Sequence, residues 1–140
     1  MLFRSKGKLI HAKNSNGFEE WYDYDEKGKL IHRKYSDGYE AWYEYNKKGN
    51  KIHTKFSDGY ESWYEYDEKG NKIYTKDNDG TETWFDEKGN KIHSKFSDGY
   101  EVWRKYDENN NIIYRKYGDG TELHYEYDEN NKLIHPKVNL

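Results

Sequence analysis

No cysteine occurs among the 140 residues, which excludes disulfides and thiolate metal sites and leaves the redox compartment open. The one proline, Pro136, stands near the C-terminus, where it would end strand pairing. The segment His135 to Leu140 therefore reads as an edge-blocking cap, while the N-terminal edge has no comparable residue and stays open to another strand. Long apolar runs are lacking too: nothing could span a bilayer, and the opening residues Met1 to Gly7 carry no apolar stretch of the signal-peptide kind. The expected location is cytoplasmic, or extracellular if the chain is a fragment of a longer protein. No charge sign dominates, with 24 Lys and Arg interspersed among 27 Asp and Glu for a net charge of -3, so there is no basic field of the sort that attracts nucleic acid. Aliphatic residues are scarce. With 32% hydrophobic residues and a mean hydropathy of -1.50, a conventional core is undersupplied.

Aromatic residues fill the gap. The 16 Tyr, 5 Trp and 5 Phe are the opposite of a disordered composition, and they favour strands. They recur in phase. A unit of about 21 residues, seen most fully from Lys51 to Asn71, returns along the whole chain, with glycines at Gly17, Gly38, Gly59, Gly80, Gly99 and Gly120. A second series runs through Gly7, Gly28, Gly49, Gly70 and Gly89 and is continued by Asn110 and Asn131, asparagine being the next most tolerant residue of a left-handed backbone. The chain is read as a single repeat domain, 1–140, of about six such units.

Within one unit, Lys51 to Phe56 and Tyr60 to Tyr66 alternate with period two and read as strands around Ser57-Asp58-Gly59. A three-residue loop closed by a left-handed glycine pairs Phe56 with Tyr60 and separates the faces. One face then carries Ile52, Thr54, Phe56, Tyr60, Ser62, Tyr64 and Tyr66; the other carries Lys51, His53, Lys55, Glu61, Trp63 and Glu65. On the second face Lys55 meets Glu61, His53 meets Trp63 and Lys51 meets Glu65, so opposite charges pair across strands. The other turn, Glu68 to Asn71, keeps these faces as a four-residue loop pairing Tyr66 with Ile73 and Asp67 with Lys72. One repeat is shorter: Trp84-Phe85-Asp86 stands where others have Trp-Tyr-Glu-Tyr-Asp, and losing two residues preserves the alternation. The fold class is all-β, an antiparallel β-hairpin repeat meander of about 12–13 strands, expected to curl or spiral because so wide a sheet twists. A parallel solenoid is the alternative, which the tight-turn glycines disfavour.

The run Tyr64-Glu65-Tyr66-Asp67-Glu68-Lys69-Gly70, followed by an aliphatic residue at Ile73 and a glycine at Gly80, resembles the YD repeat of RHS-type proteins. Tyr22-Asp23-Tyr24-Asp25 with Gly28 and Tyr125-Glu126-Tyr127-Asp128 with Asn131 match it, and Tyr43-Glu44-Tyr45-Asn46 with Gly49 nearly does. The resemblance implies antiparallel strands wound into a spiral sheet, which in that family can form a shell around a toxin. A weaker likeness is to the aromatic hairpin repeats of choline- and glucan-binding modules, which implies ligand sites between hairpins.

Catalytic patterns dissolve into structure. Ser36, Ser57 and Ser97 precede Asp-Gly and are accounted for as turn residues, and acids such as Glu61 and Glu65 face lysines, so no enzyme activity and no cofactor are expected. The periodic His11, His32, His53, His93 and His135 lie two strands apart in a meander, too far to share a metal ion, and are read as packing on the opposing tryptophan. The candidate binding residues are Trp21, Trp42, Trp63, Trp84 and Trp103, which project from the charged face, and a basic patch of Arg104 and Lys105 beside Arg115 next to the shortened repeat. The expectation is a non-enzymatic repeat protein that binds a protein partner through this surface, as a small bacterial or phage inhibitor or immunity-type protein acting by steric occlusion. Glycan or cell-wall binding and a structural segment of a larger surface or toxin-associated assembly are the alternatives. A homodimer through the tyrosine face or the N-terminal edge strand would suit the last.

Overall fold

A computed structural model describes residues 10–139, with side chains through residue 135. Among these residues every regular element is a strand: β1 (Ile10–Lys13), β2 (Glu19–Tyr24), β3 (Leu30–Tyr35), β4 (Glu40–Tyr45), β5 (Lys51–Phe56), β6 (Glu61–Tyr66), β7 (Lys72–Asp77), β8 (Glu82–Phe85), β9 (Lys91–Lys95), β10 (Glu101–Tyr106), β11 (Ile112–Tyr117), β12 (Glu122–Tyr127) and β13 (Leu133–Asn139). The order in the sheet is the order in the chain, β1 to β13, as an antiparallel hairpin meander requires. The chain divides into two compact units, Met1–Tyr64 and Glu65–Leu140.

The first turn of each unit follows its glycine. In the N-terminal unit the Phe56 N–H donates to Tyr60 O at 2.9 Å and the Gly59 N–H to Phe56 O at 3.0 Å, with Gly59 at φ 93°. This is the three-residue loop, and Lys55↔Glu61, Thr54↔Ser62 and His53↔Trp63 pair as the alternation requires. Asp58 Oδ1 accepts the Tyr60 N–H at 3.0 Å, and Ser57 reaches sideways, its Oγ accepting the Glu40 N–H at 2.9 Å. The Ser-Asp-Gly sequence is thereby used up by the turn and by its neighbouring hairpin.

The second turn differs from the four-residue expectation. Asp67 N–H donates to Asn71 O at 2.9 Å and Gly70 N–H to Asp67 O at 3.1 Å, so this loop also has three residues. The extra residue becomes a β-bulge one pair into the strand: Tyr45 faces Lys51 while Glu44 faces His53, leaving Ile52 between them. Ile31, Ile92, Ile113 and Ile134 are skipped in the same way. The bulge exchanges two face assignments. Lys51 lies on the tyrosine face, its Nζ 4.4 Å from the Tyr43 ring centroid, and in the C-terminal unit Ile73 and Ile92 line a groove with Tyr74 and Trp84 of the tryptophan face. Asp67 explains why three residues suffice: its carboxylate accepts from the Asn71 backbone N–H at 2.8 Å and from Asn71 Nδ2 at 2.9 Å. Asn110 and Asn131 take the left-handed position at φ 66° and 61°.

Pro136 does not end the pairing. Strand β13 stays in register with β12 through Val138 and Asn139, because an edge strand leaves alternate N–H groups without a ladder partner and a proline fits there.

Burial is concentrated on small residues of the tyrosine face. Ala41 and Ser62 are 1% exposed, and Thr54, Thr83, Ser94 and Val102 are also buried beneath large neighbours. Those neighbours cover them in rows. In the N-terminal unit Phe18, Tyr35, Tyr39, Phe56 and Tyr60 follow one another with centroids 5.8 to 5.9 Å apart. In three repeats the tyrosine just before the second turn clamps the preceding hairpin: Tyr45 OH donates to Leu30 O at 2.9 Å, Tyr106 OH to Lys91 O at 2.9 Å and Tyr127 OH to Ile112 O at 3.0 Å. Tyr45→Phe is expected to lower stability by about 1 kcal/mol, the net worth of one such bond, visible as a lower urea midpoint with an unchanged slope.

Candidate binding surface

The tryptophan face is built from rings braced by ion pairs. Strand pairing sets His11, His32 and His53 opposite Trp21, Trp42 and Trp63, and the rings stack at 5.0, 5.2 and 5.2 Å with interplanar angles of 11° to 15°. In the C-terminal unit Tyr74 and Tyr114 replace histidine, and the rings tilt by 51° and 60°. Four of the histidines, His11, His32, His53 and His93, also meet carboxylates: His32 contacts Asp23 Oδ2 at 3.1 Å and Glu40 Oε2 at 2.9 Å, and His93 contacts Glu101 Oε2 at 2.7 Å. Lysines complete the rows, with Lys13 2.8 Å from Glu19 and Lys55 2.7 Å from Glu61. Trp42 and Trp63 remain 37% and 38% exposed, whereas Trp21, Trp84 and Trp103 are half-buried.

These contacts hold three carboxyls below their usual 4.5: Glu19 through the Lys13 and His11 hydrogen bonds, Glu40 through His32 and then Lys34, and Glu61 through Lys55. A carboxyl lowered in the fold stabilises it above pH 4.5, and that contribution is lost as pH falls through the folded value. Thermal midpoints are therefore expected to drop on acidification below this point. Glu40→Gln should lower the neutral-pH midpoint and shrink the acid-induced drop, read by circular dichroism.

The shortened repeat changes the geometry. In full-length repeats the bulged hairpin sets Trp21 opposite Lys34 and Trp42 opposite Lys55. Loss of two residues slides the rows by two positions, so that Trp84 faces His93, which in turn faces Trp103. His93 is sandwiched, 4.4 Å from Trp84 and 4.9 Å from Trp103, and Tyr74 lies 5.1 Å from Trp84 on the other side. A continuous row of four rings, Tyr74, Trp84, His93 and Trp103, results, and Ile73, Phe85 and Ile92 line a groove with its first two members. Sequence reasoning noted the deletion but not this consequence. The signal was present: Trp84 and His93 are nine residues apart, whereas Trp42 and His53 are eleven.

The three basic residues do not form one patch. Arg104 shares the face of buried Val102 and Ser94, to whose Oγ it donates at 3.0 Å, and Arg115 is its direct cross-strand partner. Lys105 points to the opposite face, its Nζ 5.2 Å from the Tyr114 ring centroid. Alternation along a strand separates Arg104 from Lys105. Among the described residues no group of three or more His, Asp or Glu side chains is placed to hold a metal ion.

No protein-family model and no curated protein matches the chain. Among solved structures it is similar to a chain of the crystal structure of TcdB2-TccC3-Cdc42, with a TM-score of 0.63 and 18% identity, covering 85% of this chain and 7% of that one. Chains of the TcdB2-TccC3 and TcdB2-TccC3-TEV crystal structures give TM-scores of 0.53 and 0.54 at 15% identity, covering 91% of this chain and 8% and 7% of theirs. This chain therefore corresponds to less than a tenth of each of those chains, and what it shares with them is the fold of an antiparallel hairpin sheet.

Proposed function

We propose that the chain is a non-enzymatic, YD-type repeat segment that serves as a structural part of a larger toxin-associated assembly, contacting its protein neighbours through the sheet faces. The observation that carries this reading is the fold likeness over most of the chain to small parts of very long chains from such an assembly. The side-chain chemistry agrees with it: histidines, acids and turn serines such as His32, Glu40 and Ser57 are engaged in holding neighbouring hairpins together. The likeness favours this alternative over an inhibitor acting by occlusion. Neither glycan binding nor a homodimer through the tyrosine face gains support from these neighbours.

The reading is tested by retrieving the tagged chain, after nuclease treatment, from the cells that produce it. A structural segment comes out as a fixed-stoichiometry component of a particle far larger than its own 17.1 kDa. Recovery alone, or in a one-to-one complex with an enzyme that it silences, would count against it.

A further inference from the structure

Equivalent positions of the two units carry one arginine in two different settings. In the N-terminal unit Arg33 donates from Nη2 to Glu20 Oε1 at 2.9 Å and lies over the Tyr35 ring at 4.4 Å, with the Tyr22 hydroxyl 3.4 Å from the same nitrogen. Glu20 and Tyr22 come from β2, the strand paired with Arg33. In the C-terminal unit Arg115 takes the same place in β11, but the matching residues of its partner strand β10 are Val102 and Arg104. The carboxylate has become an alkyl group and the phenol a second guanidinium. Directly paired residues stand about 4.5 to 5.5 Å apart, where like charges repel.

Among the described residues no opposite charge compensates either arginine. Arg104 is engaged by the neutral Ser94 hydroxyl, and Arg115 by the Tyr117 side chain and the face of the Tyr125 ring at 5.8 Å. Among the described residues neither pairs with a carboxylate; the buried Nε of Arg115 has no hydrogen-bond partner, as is also true of Arg33 Nε, so the difference between the two settings lies in the lost carboxylate. Both side chains are half-buried, so water screens them less than a surface pair. The two forked guanidinium groups stand on directly paired residues, one reaching to Ser94 of β9 and the other to Tyr125 of β12, and with no carboxylate partner among the described residues they match the charge and the multiple acceptor oxygens of a dianionic phosphate group.

The geometry points to a phosphate-type oxyanion site on the tyrosine face of the C-terminal unit, held by Arg104 and Arg115 in the place where the N-terminal unit supplies its own carboxylate. The site is independent of the structural role proposed above, because it rests on the arginine pair alone.

Inorganic phosphate is the probe, titrated into the full chain at constant ionic strength with chloride and acetate as separate arms, and followed by thermal midpoint and phosphorus NMR. Saturable stabilisation by phosphate beyond chloride and acetate is expected. Arg104→Gln should weaken it about tenfold, the equivalent of one charge-assisted bond. The double variant Val102→Glu with Arg104→Tyr rebuilds the Arg33 setting. It should raise the phosphate-free midpoint and abolish the phosphate response. A wild-type response to phosphate no larger than that to chloride or acetate would overturn the proposal, as would full phosphate affinity in Arg104→Gln.

Discussion

Deleting Tyr43 alone is expected to abolish the cooperative unfolding of the N-terminal unit, whereas deleting Tyr43 together with Glu44, or Ile52 alone, should leave it folded. The contrast follows from the register. With Tyr43 gone, either Trp42 moves to the tyrosine face and Ala41 to the tryptophan face, against their partners His32 and Arg33 in β3, or Glu44 and Tyr45 exchange faces against β5. Each choice drives a large or charged side chain into the row where Ala41 is 1% exposed. Total stability of a domain is about 5 to 15 kcal/mol, and such a swap removes most of it. The paired deletion only repeats what the chain already does at Trp84-Phe85-Asp86, and it should bring Trp42 onto His53 as Trp84 sits on His93. Removal of Ile52 is tolerated for another reason: Lys51 and His53 already face Tyr45 and Glu44 on opposite sides, so excising the bulge restores regular pairing. Its cost is that of a half-buried isoleucine, about 1 kcal/mol. Thermal melts of the three variants, followed by circular dichroism and tryptophan fluorescence, check the order. A Tyr43 deletion as stable as the paired one would break the face argument.

Alkali should melt the sheet between pH 10 and 12. Burial is the first cause holding the phenols of Tyr39, Tyr43, Tyr45, Tyr100, Tyr114 and Tyr125 above 10.0, while for Tyr22 it is the hydrogen bond to Glu20. Tyr74 is pushed up to about 12 by burial and then by its bond to Glu82 Oε2 at 2.8 Å. The fold prefers the neutral phenol, so this stability is complete below 10.0 and is lost as pH rises through the folded values. Tyrosinate absorbance is expected to rise steeply with loss of the strand signal, and Glu82→Gln should let Tyr74 ionise earlier. Gradual titration of the tyrosines with the strand signal intact would show that neutral, packed phenols do not hold the sheet together.

Much of this architecture was legible because a strand has only two faces. Once Ser57-Asp58-Gly59 is given three residues, the pairs Lys55 with Glu61 and His53 with Trp63 follow without further choice. The second turn was misjudged for a physical reason. A four-residue loop and a three-residue loop with a bulge give the strand bodies the same register and differ only in Lys51 and Ile52, whose alternation looks regular. The Asp67 and Asn71 side chains close the shorter loop, and their spacing was the readable clue. Arg104 and Lys105 were grouped because they are adjacent in sequence, although adjacency in a strand places them on opposite faces. The four-ring row needed the positions of both neighbouring strands at once, since the deletion moves β8 relative to β9 while β9 keeps its pairing with β10.

The claim beneath all of this is that residue arithmetic within each hairpin fixes what stands beside what. It is tested most directly by proton NMR contacts around the indole of Trp84. The account predicts strong cross-strand contacts from Trp84 to the His93 ring, with His93 also contacting Trp103. Contacts from Trp84 to Lys95 instead, the pairing that full-length repeats show between Trp42 and Lys55, would contradict it.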